Sequence, residues 1–561
     1  MPGQSSAVPH GFESPIAWRD LDVAIVGGGP AGLAVALALL RVRPDLRLKV
    51  FEASPSYGAQ GAGVAIASNG AKALEAIDPT LLHGLLRRAT FISGTFTYND
   101  QTGERMPWQG GFSPLDTLNR FGITGGLVPW NDIRTALYGG LPEGVVEFGC
   151  KVVNCSEAGG GGADSAMGHY VLSIQRAIPS GGDSMAPGSG NDGVQKEAAI
   201  GTVAATARLV IAADGYFSRV RRTAGDGRTP VFEGMVRWLG NVTQAELDGG
   251  RVPRPAALDP QANPFALSSI HTWSPTSVEN PLKGPPPRGL FLYPAGTDEH
   301  GRTRWVWSLY TQAATLQAVG EAFPMPASEV SETGEAAPRT AVPGDDAGGS
   351  VQDTSRRGAR ALRRALSACS HLPPDVQSML AATPAERVME FGLYVHPADS
   401  YTEGAWARGG LLLLGDAAHA GRPDGQGANT ALEDAVVLGA CVRQLGLGPE
   451  AFSAWEAARR ERVRDILTDR SNDGSLRAAR VAATAFEPLW SPTALAAPGG
   501  PLPDDVAAEV LQEVERGDEA KAREVVTQWS RSIVRNIVEG RVAGRGVPPN
   551  IPPPEGAYRF R

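Results

Sequence analysis

The chain has 561 residues, 42% of them hydrophobic and 20% charged, which exceeds the size at which one core keeps growing and predicts two domains with inserted material. A formal net charge of -8 offers no basic stripe and argues against a nucleic-acid partner. The four cysteines, Cys150, Cys155, Cys369 and Cys441, lack the paired spacing of metal sites and are too few to staple so long a chain, so they read as reduced thiols of an intracellular protein, with no metal site assigned.

Residues 1–20 have no basic segment followed by an apolar one and read as a disordered tail rather than a signal peptide. No run of about 18 apolar residues occurs, so no transmembrane segment is expected. Residues 22–26 form an apolar strand, 31–40 have helix composition ending before Pro44, and 46–52 resume as a strand, a βαβ unit. In its turn Gly27, Gly29 and Gly32 fit G-x-G-x-x-G, which lets a pyrophosphate approach backbone amides at a helix start. Glu52 follows Gly32 at the spacing that suits ribose hydroxyls.

Residues 157–168 and 178–201 are rich in Gly, Ser, Ala and Asp, flank one strand, 170–175, and read as a flexible insertion expanded from a hairpin. Residues 206–213 and 410–414 are further apolar strands, each ending at an acidic residue beside glycine. Between them, 231–317 contains the aromatic runs Gly289-Leu-Phe-Leu-Tyr293 and Arg304-Trp-Val-Trp-Ser-Leu-Tyr310, which predict a sheet walling a substrate cavity. His271, Tyr293, Trp307 and Tyr310 fall in this region, each weighted toward packed core rather than substrate contact. Residues 324–358 read as a second flexible insertion, 428–445 and 451–470 as helices, 504–538 as one amphipathic helical stretch, and 547–554 as a Pro-rich end.

The glycine turn alone does not separate one dinucleotide from another. Two later motifs do: Ala213-Asp214-Gly215-Tyr-Phe-Ser218-Arg-Val-Arg221, and Gly415-Asp416-Ala-Ala-His419 followed by Gly425-Gln-Gly-Ala-Asn429. With the three in this order the chain resembles the FAD-dependent aromatic hydroxylases, the para-hydroxybenzoate and salicylate hydroxylase-like flavoprotein monooxygenases. The likeness covers 21–73, 207–222 and, best, 409–464, where Pro423, Glu433-Asp434-Ala435 and Trp455-Glu-x-x-Arg459 also match. It implies an α/β fold: a Rossmann-like FAD-binding domain (21–230 and 388–480), an inserted mainly-β substrate domain (231–387) and a C-terminal helical extension (481–561).

The resemblance further implies that Asp416 binds the flavin's ribityl chain, that Gly427, Ala428 and Asn429 present backbone to the isoalloxazine ring, and that Asp214 and Gly215 serve FAD and NAD(P)H contacts. Gly63, in Gly61-Ala62-Gly63-Val64, matches the segment that packs along the flavin. NADPH or NADH would reduce the flavin, O2 would add at C4a, and the hydroperoxide would hydroxylate or epoxidise a small aromatic or otherwise electron-rich substrate. His419 is given a structural or flavin-proximal role, and no catalytic acid or base is assigned. A cytoplasmic location is expected, and a homodimer is left open.

Three departures stand out. Pro129-Trp130 replaces the family's His-Arg pair, with Arg134 present at another register. Ala212 stands where glycine is usual, and the turn from His419 to Gly425 is about one residue short. A halogenase is the first alternative, resting on Lys72 and the fragment Trp305-Val-Trp307; a flavin-fold binding protein without turnover is the second.

Overall fold

The computed structural model describes residues 16–57, 62–106, 113–158, 169–177, 200–275, 288–297, 301–318, 357–397, 399–422, 425–468 and 474–543. The Pro-rich end, most of both insertions and part of the turn before Gly425 lie outside these residues. The framework is an eight-stranded sheet, whose main path runs Ala407–Arg408, Leu411–Leu413, Ile200–Ala212, Ile16–Val26, Leu48–Phe51, Val146–Glu147. All neighbours on this path are parallel except the first pair. Val23, Ala24, Ile25 and Val26 are buried, as a parallel strand covered on both faces requires, which is why they read as an unbroken apolar run. The helix Pro30–Val42 follows the glycine turn and packs against a second long helix, Gly427–Leu445.

The first strand begins earlier than expected. Residues 16–20 belong to the sheet rather than to a tail, with Ile16 opposite Ala204 and Trp18 opposite Ala205. Trp18 also meets Phe51 edge-on at 5.0 Å. The polar pair Arg19-Asp20 hid this continuation, because the strand absorbs it in irregular register with Asp20 at φ 52°. The strands that flank the first insertion pair as hairpins, as expected. Lys151–Ala158 and His169–Ala177 pair antiparallel, and the latter extends Ile200–Ala212.

The second sheet has six strands in the order Met389–Val395, Val231–Thr243, Thr303–Gln312, Arg288–Thr297, Ser269–Ser274, Gly94–Asn99. Its two edge strands come from segments that linear boundaries give to the other domain. Gly94–Asn99 alternates buried and half-buried residues along Gly-Thr-Phe-Thr-Tyr-Asn, a pattern that fits either sheet, so its partner is decided by contact. One face carries Val236, Trp238, Trp273, Leu290, Leu292, Trp305, Trp307 and Leu309, sealed by the helices Gly358–Ala368 and Pro374–Ala381. The opposite face, with Leu239, Val306, Tyr293, Met389 and Phe391, meets Ala62 of the first unit and stays partly open.

The C-terminal stretch is two helices, Asp504–Glu515 and Glu519–Ala543. Gly517 and Asp518 interrupt it, and the Asp518 carboxylate accepts the Lys521 amide at 2.9 Å, starting the second helix. That helix docks on Ser68–Ile77 and Pro79–Arg88: Ser530 Oγ donates to Glu75 Oε1 at 2.7 Å and meets His83 Nε2 at 3.0 Å. All four cysteines are free thiols. Among the described residues no helix is long and apolar enough to cross a membrane.

Candidate functional site

Parallel register sets the site. Phe51, Val26, Ala212 and Leu413 stand side by side at the carboxyl ends of their strands. The residues that follow, Glu52, Gly27 to Gly29, Asp214-Gly215 and Gly415-Asp416, therefore emerge along one edge of the sheet, where an open α/β fold binds ligands.

Gly27 turns sharply at φ +103°, and a Cβ there would collide with the carbonyl of Ala213. A Cβ on Gly32 would strike the carbonyl of Gly27. Gly29 then starts the helix Pro30–Val42, which has neither a side-chain cap nor an acid in its first turn, so its amides keep their partial positive charge for an anion. Glu52 braces this turn: Oε2 accepts the Gly28 amide at 2.7 Å and Oε1 the Ser54 amide at 2.8 Å. Each oxygen keeps a lone pair for a hydroxyl donor. Tyr57, which sequence reading missed, donates its hydroxyl to the Gly28 carbonyl at 2.7 Å.

Arg134 packs onto that tyrosine. Its guanidinium lies 4.1 Å from the Tyr57 ring centroid and 4.8 Å from that of Trp130, and Nη2 donates to Asn131 Oδ1 at 2.7 Å. The departure at Trp130 thus supplies an aromatic wall for a cation one helical turn later. Burial lowers the Arg134 pKa, opposed by Tyr57 and Glu52.

The distant motif closes the cleft from the other side. A Cβ on Gly415 would come within 2.9 Å of Ala31 Cβ, so the two ends of the sequence touch at the glycine-turn helix. Asp416 lies deep enough for burial to push its carboxyl up, yet it is exposed toward the cleft. Gly427 opens the helix Gly427–Leu445, again with no side-chain cap. A Cβ on Gly427 would stand 3.6 Å from Asp416 Oδ1. The Asn429 side chain acts as a staple: Nδ2 donates to Ala65 O at 2.8 Å and Gly425 O at 2.7 Å, and Oδ1 accepts the Ala67 amide at 2.9 Å. This fixes the strand Gly63–Ile66 beside the helix start, with Ala428 between the staple and Gly427. A Cβ on Gly63 would meet Ala295 Cβ at 2.5 Å and the Tyr293 ring at 2.9 Å, so the short ribbon that Gly63–Ile66 forms with Gly126–Pro129 lies directly against the aromatic sheet at Gly63.

Asp214 accepts the Arg219 and Val220 amides on Oδ2 at 2.8 and 3.2 Å, while its buried Oδ1 has no hydrogen-bond partner among the described residues. Burial raises its pKa. Gly215, at φ +82° with open space around it, leaves that strand end accessible.

Behind the cleft lies a buried ionic cluster whose residues matched a pattern in the sequence without revealing a role. Asp434 Oδ2 accepts the Gly415 amide at 3.1 Å and meets His419 Nε2 at 2.7 Å; Arg459 Nε donates to Oδ1 at 2.8 Å. Burial pushes the Asp434 carboxyl up, but His419 and Arg459 more than reverse it and hold it below the usual range. Glu433 accepts from Arg459 Nη1 at 2.6 Å, Asn69 Nδ2 at 2.5 Å and Arg462 Nη2 at 3.1 Å. His419 thus points into this cluster and against Trp406, 5.3 Å between ring centroids, as part of the frame that holds Gly415.

The aromatic sheet sorts the residues of the presumed substrate region. His271 and Trp307 lie on the sealed face: the His271 ring meets Ala266 O at 2.8 Å, and Trp307 donates to Thr383 at 3.0 Å. Tyr293 and Tyr310 lie on the open face. Lys72 donates to Ala482 O at 2.6 Å and Trp305 to Gln244 at 2.7 Å, so the features that suggested a halogenase do not reach the cleft. Sequence reading also passed over Arg237, Phe391 and Met389, which share the open face and carry no motif.

The donor set fits FAD. Two uncapped helix starts, a bracing glutamate, an open aspartate between them and a cradle of glycines that any Cβ would fill are what a pyrophosphate, a ribose and a ribityl-linked ring require.

Comparison with known proteins agrees with this geometry. Residues 357–467 match the family model described as FAD binding domain. The chain is 27% identical over 457 residues to a 3-amino-4-hydroxybenzoate 2-monooxygenase of Streptomyces cremeus, spanning 80% of this chain and 85% of that protein. It is 40% identical over 95 residues to an FAD-dependent urate hydroxylase of Klebsiella pneumoniae, a match spanning 17% of this chain and only 24% of that protein. The fold superposes on Klebsiella pneumoniae HpxO complexed with FAD and uric acid, with a TM-score of 0.51 at 21% identity, covering 92% of this chain and 96% of that one.

Proposed function

From a chain related in sequence and fold to the FAD-dependent aromatic monooxygenases, we propose an enzyme that binds FAD in the cleft at the sheet edge and uses NAD(P)H and O2 to hydroxylate a small aromatic. The observation that carries this reading is the meeting of Gly415 with Ala31, which builds one elongated site from motifs at both ends of the chain. When bound, FAD supplies electron transfer and oxygen activation.

The protein's own residues do the rest. The amides after Gly29 receive the pyrophosphate, with Gly27 and Gly32 leaving room for it. Glu52 accepts from ribose hydroxyls, and Asp416 from the ribityl hydroxyls. The helix start at Gly427, Ala428 and Asn429 turns its positive end to the ring carbonyl that gains charge on reduction. Gly63 keeps the strand beside the ring thin enough for the aromatic sheet to approach. Asp214, with a buried lone oxygen, and Gly215 line the neighbouring strand end. The open sheet face holds the substrate and excludes water, so neither a nucleophile nor a metal is needed.

The test is direct. The purified protein should carry bound FAD, and a small aromatic should accelerate its NAD(P)H oxidation and oxygen uptake, with peroxide release separating productive from wasted turnover. A protein that takes up no FAD, or whose NAD(P)H oxidation no aromatic changes, overturns the reading.

A further inference from the structure

The C-terminal extension reaches the cofactor cleft through one arginine that the cofactor reading leaves unused. Arg462 lies in the helix Pro449–Thr468, and its guanidinium faces two ways. On one side Nη1 donates to Arg480 O at 2.7 Å and Nη2 to Val481 O at 2.8 Å, with Thr484 Oγ1 a further acceptor. These carbonyls close the helix Gly474–Ala482, and Lys72 takes the next one, Ala482 O, at 2.6 Å. A helix end leaves such carbonyls to outside donors, and cations suit its negative pole. On the other side Nε and Nη2 of Arg462 meet the two oxygens of the buried Glu433 at 3.2 and 3.1 Å.

Glu433 passes this contact on to the cleft. Its Oε1 accepts from Asn69 Nδ2 at 2.5 Å, and the same amide donates to Gln426 Oε1 at 3.1 Å. Gln426 stands immediately before Gly427, where the helix at the cleft starts. Beside His419, the cluster sets two carboxylates, Glu433 and Asp434, against two guanidinia, Arg459 and Arg462, with Arg459 shared by both acids. Without Arg462, Arg459 alone has to balance the pair, and a buried carboxylate short of a partner pulls on the groups that remain, Asn69 first.

Beyond residue 484 the chain runs as a strap along the same helices. Leu489 N donates to Ala76 O at 2.8 Å, Trp490 Nε1 to Glu75 O at 2.9 Å, and Arg443 Nη1 to Pro488 O at 3.1 Å. Arg443 belongs to the last turn of Gly427–Leu445. Two arginines thus hold the strap, and Arg462 is the one wired through Glu433 to the end of that helix at the cleft.

We propose that Arg462 is a positioning residue for the flavin: by joining the C-terminal extension to Glu433, and through Asn69 to Gln426, it sets the helix start at Gly427 that addresses the ring. The order of residues 480–484 and the hold on FAD are therefore linked. This rests on the FAD-binding reading above and extends it to a segment behind the cleft.

The experiment follows the linkage in both directions. In the wild-type protein, amide hydrogen exchange of residues 480–484 is compared with and without FAD, taking Asp504–Glu515 of the same extension as reference. FAD should slow exchange at 480–484 about 5-fold or more relative to that helix. In the other direction, Arg462→Met should raise the Kd for FAD about 5-fold or more and shift the visible absorbance of the bound flavin, and Arg462→Lys should recover part of both. Arg443→Met loosens the strap away from the cleft; it should lower Tm, keep Kd within about 2-fold and leave the flavin spectrum unchanged. That contrast separates positioning from stability, and the wild-type exchange comparison stands whether or not the variants fold. Exchange at 480–484 that responds to FAD no more than Asp504–Glu515 overturns the proposal while the FAD-binding reading stands. An Arg462→Met protein with wild-type Kd and spectrum, or an Arg443→Met protein that loses FAD as readily as Arg462→Met, does the same. A wild-type protein that takes up no FAD defeats the FAD-binding reading, and the proposal falls with it.

Discussion

Asp416 opens on the cleft and Asp434 lies buried behind it, and their surroundings give the two carboxylates opposite tasks. Asp416 has no charged partner at contact distance among the described residues and faces the open cleft; its oxygens are free to accept cofactor hydroxyls. Asp416→Ala should therefore weaken FAD binding roughly 10- to 100-fold, the worth of hydrogen bonds to a charged group, read by quenching of FAD fluorescence on titration. Asp434 is consumed by Gly415, His419 and Arg459. Asp434→Asn strands buried charge and should cost about 3–5 kcal/mol in urea unfolding. Because its folded pKa is depressed, the stability it contributes is full above the usual carboxylate range and is lost as pH falls through the depressed value. The motif residues at both positions were legible in the sequence. Their division of labour was not, since it depends on Arg459 and on the cleft.

At the scale of elements, the long C-terminal helix Glu519–Ala543 shows how a segment with no motif becomes part of the cofactor domain. Val534 and Val538 join the main core, and Ser530 bridges Glu75 and His83. Ser530→Ala should destabilise the protein by about 1–3 kcal/mol, the cost of leaving buried polar groups unpaired, seen as a lower Tm in calorimetry. Amphipathic periodicity announced helix over 504–538 but not the break at Gly517 and Asp518, which the Asp518 cap decides locally. Gly94–Asn99 is the converse case. No element is assigned to it from the sequence alone, and its place at the edge of the aromatic sheet depends on Ser269–Ser274, far away in sequence.

For the whole molecule, one ligand should join both ends of the chain. Since the glycine turn and the Gly415 motif share the site, FAD at about 100 times its Kd should add about 2.7 kcal/mol of stability, measured as a calorimetric shift between apo and FAD-loaded protein, with one transition in the latter. Acid should act in the opposite direction. Burial lowers His271 and His83 to about 4 and His396 to about 3, from 6.5. Between those values the unfolded chain binds more protons, so stability is full above the ordinary histidine value of about 6.5 and falls as pH drops toward the folded values. Each histidine should contribute about 1.4 kcal/mol per pH unit inside that window. Denaturant titrations of His271→Gln across this range should show a slope smaller by that amount. The sequence by itself determined the parallel sheet, the glycine turn and the three motifs, because tight turns and fully buried strands restrict residue type over a few neighbours. Only the tertiary structure decided that Gly415 lies on Ala31, and that His271 and Trp307 face helices while Tyr293 and Tyr310 face the cleft. Those outcomes depend on which face of a strand meets which distant partner, and alternation supplies two faces without saying which one is covered.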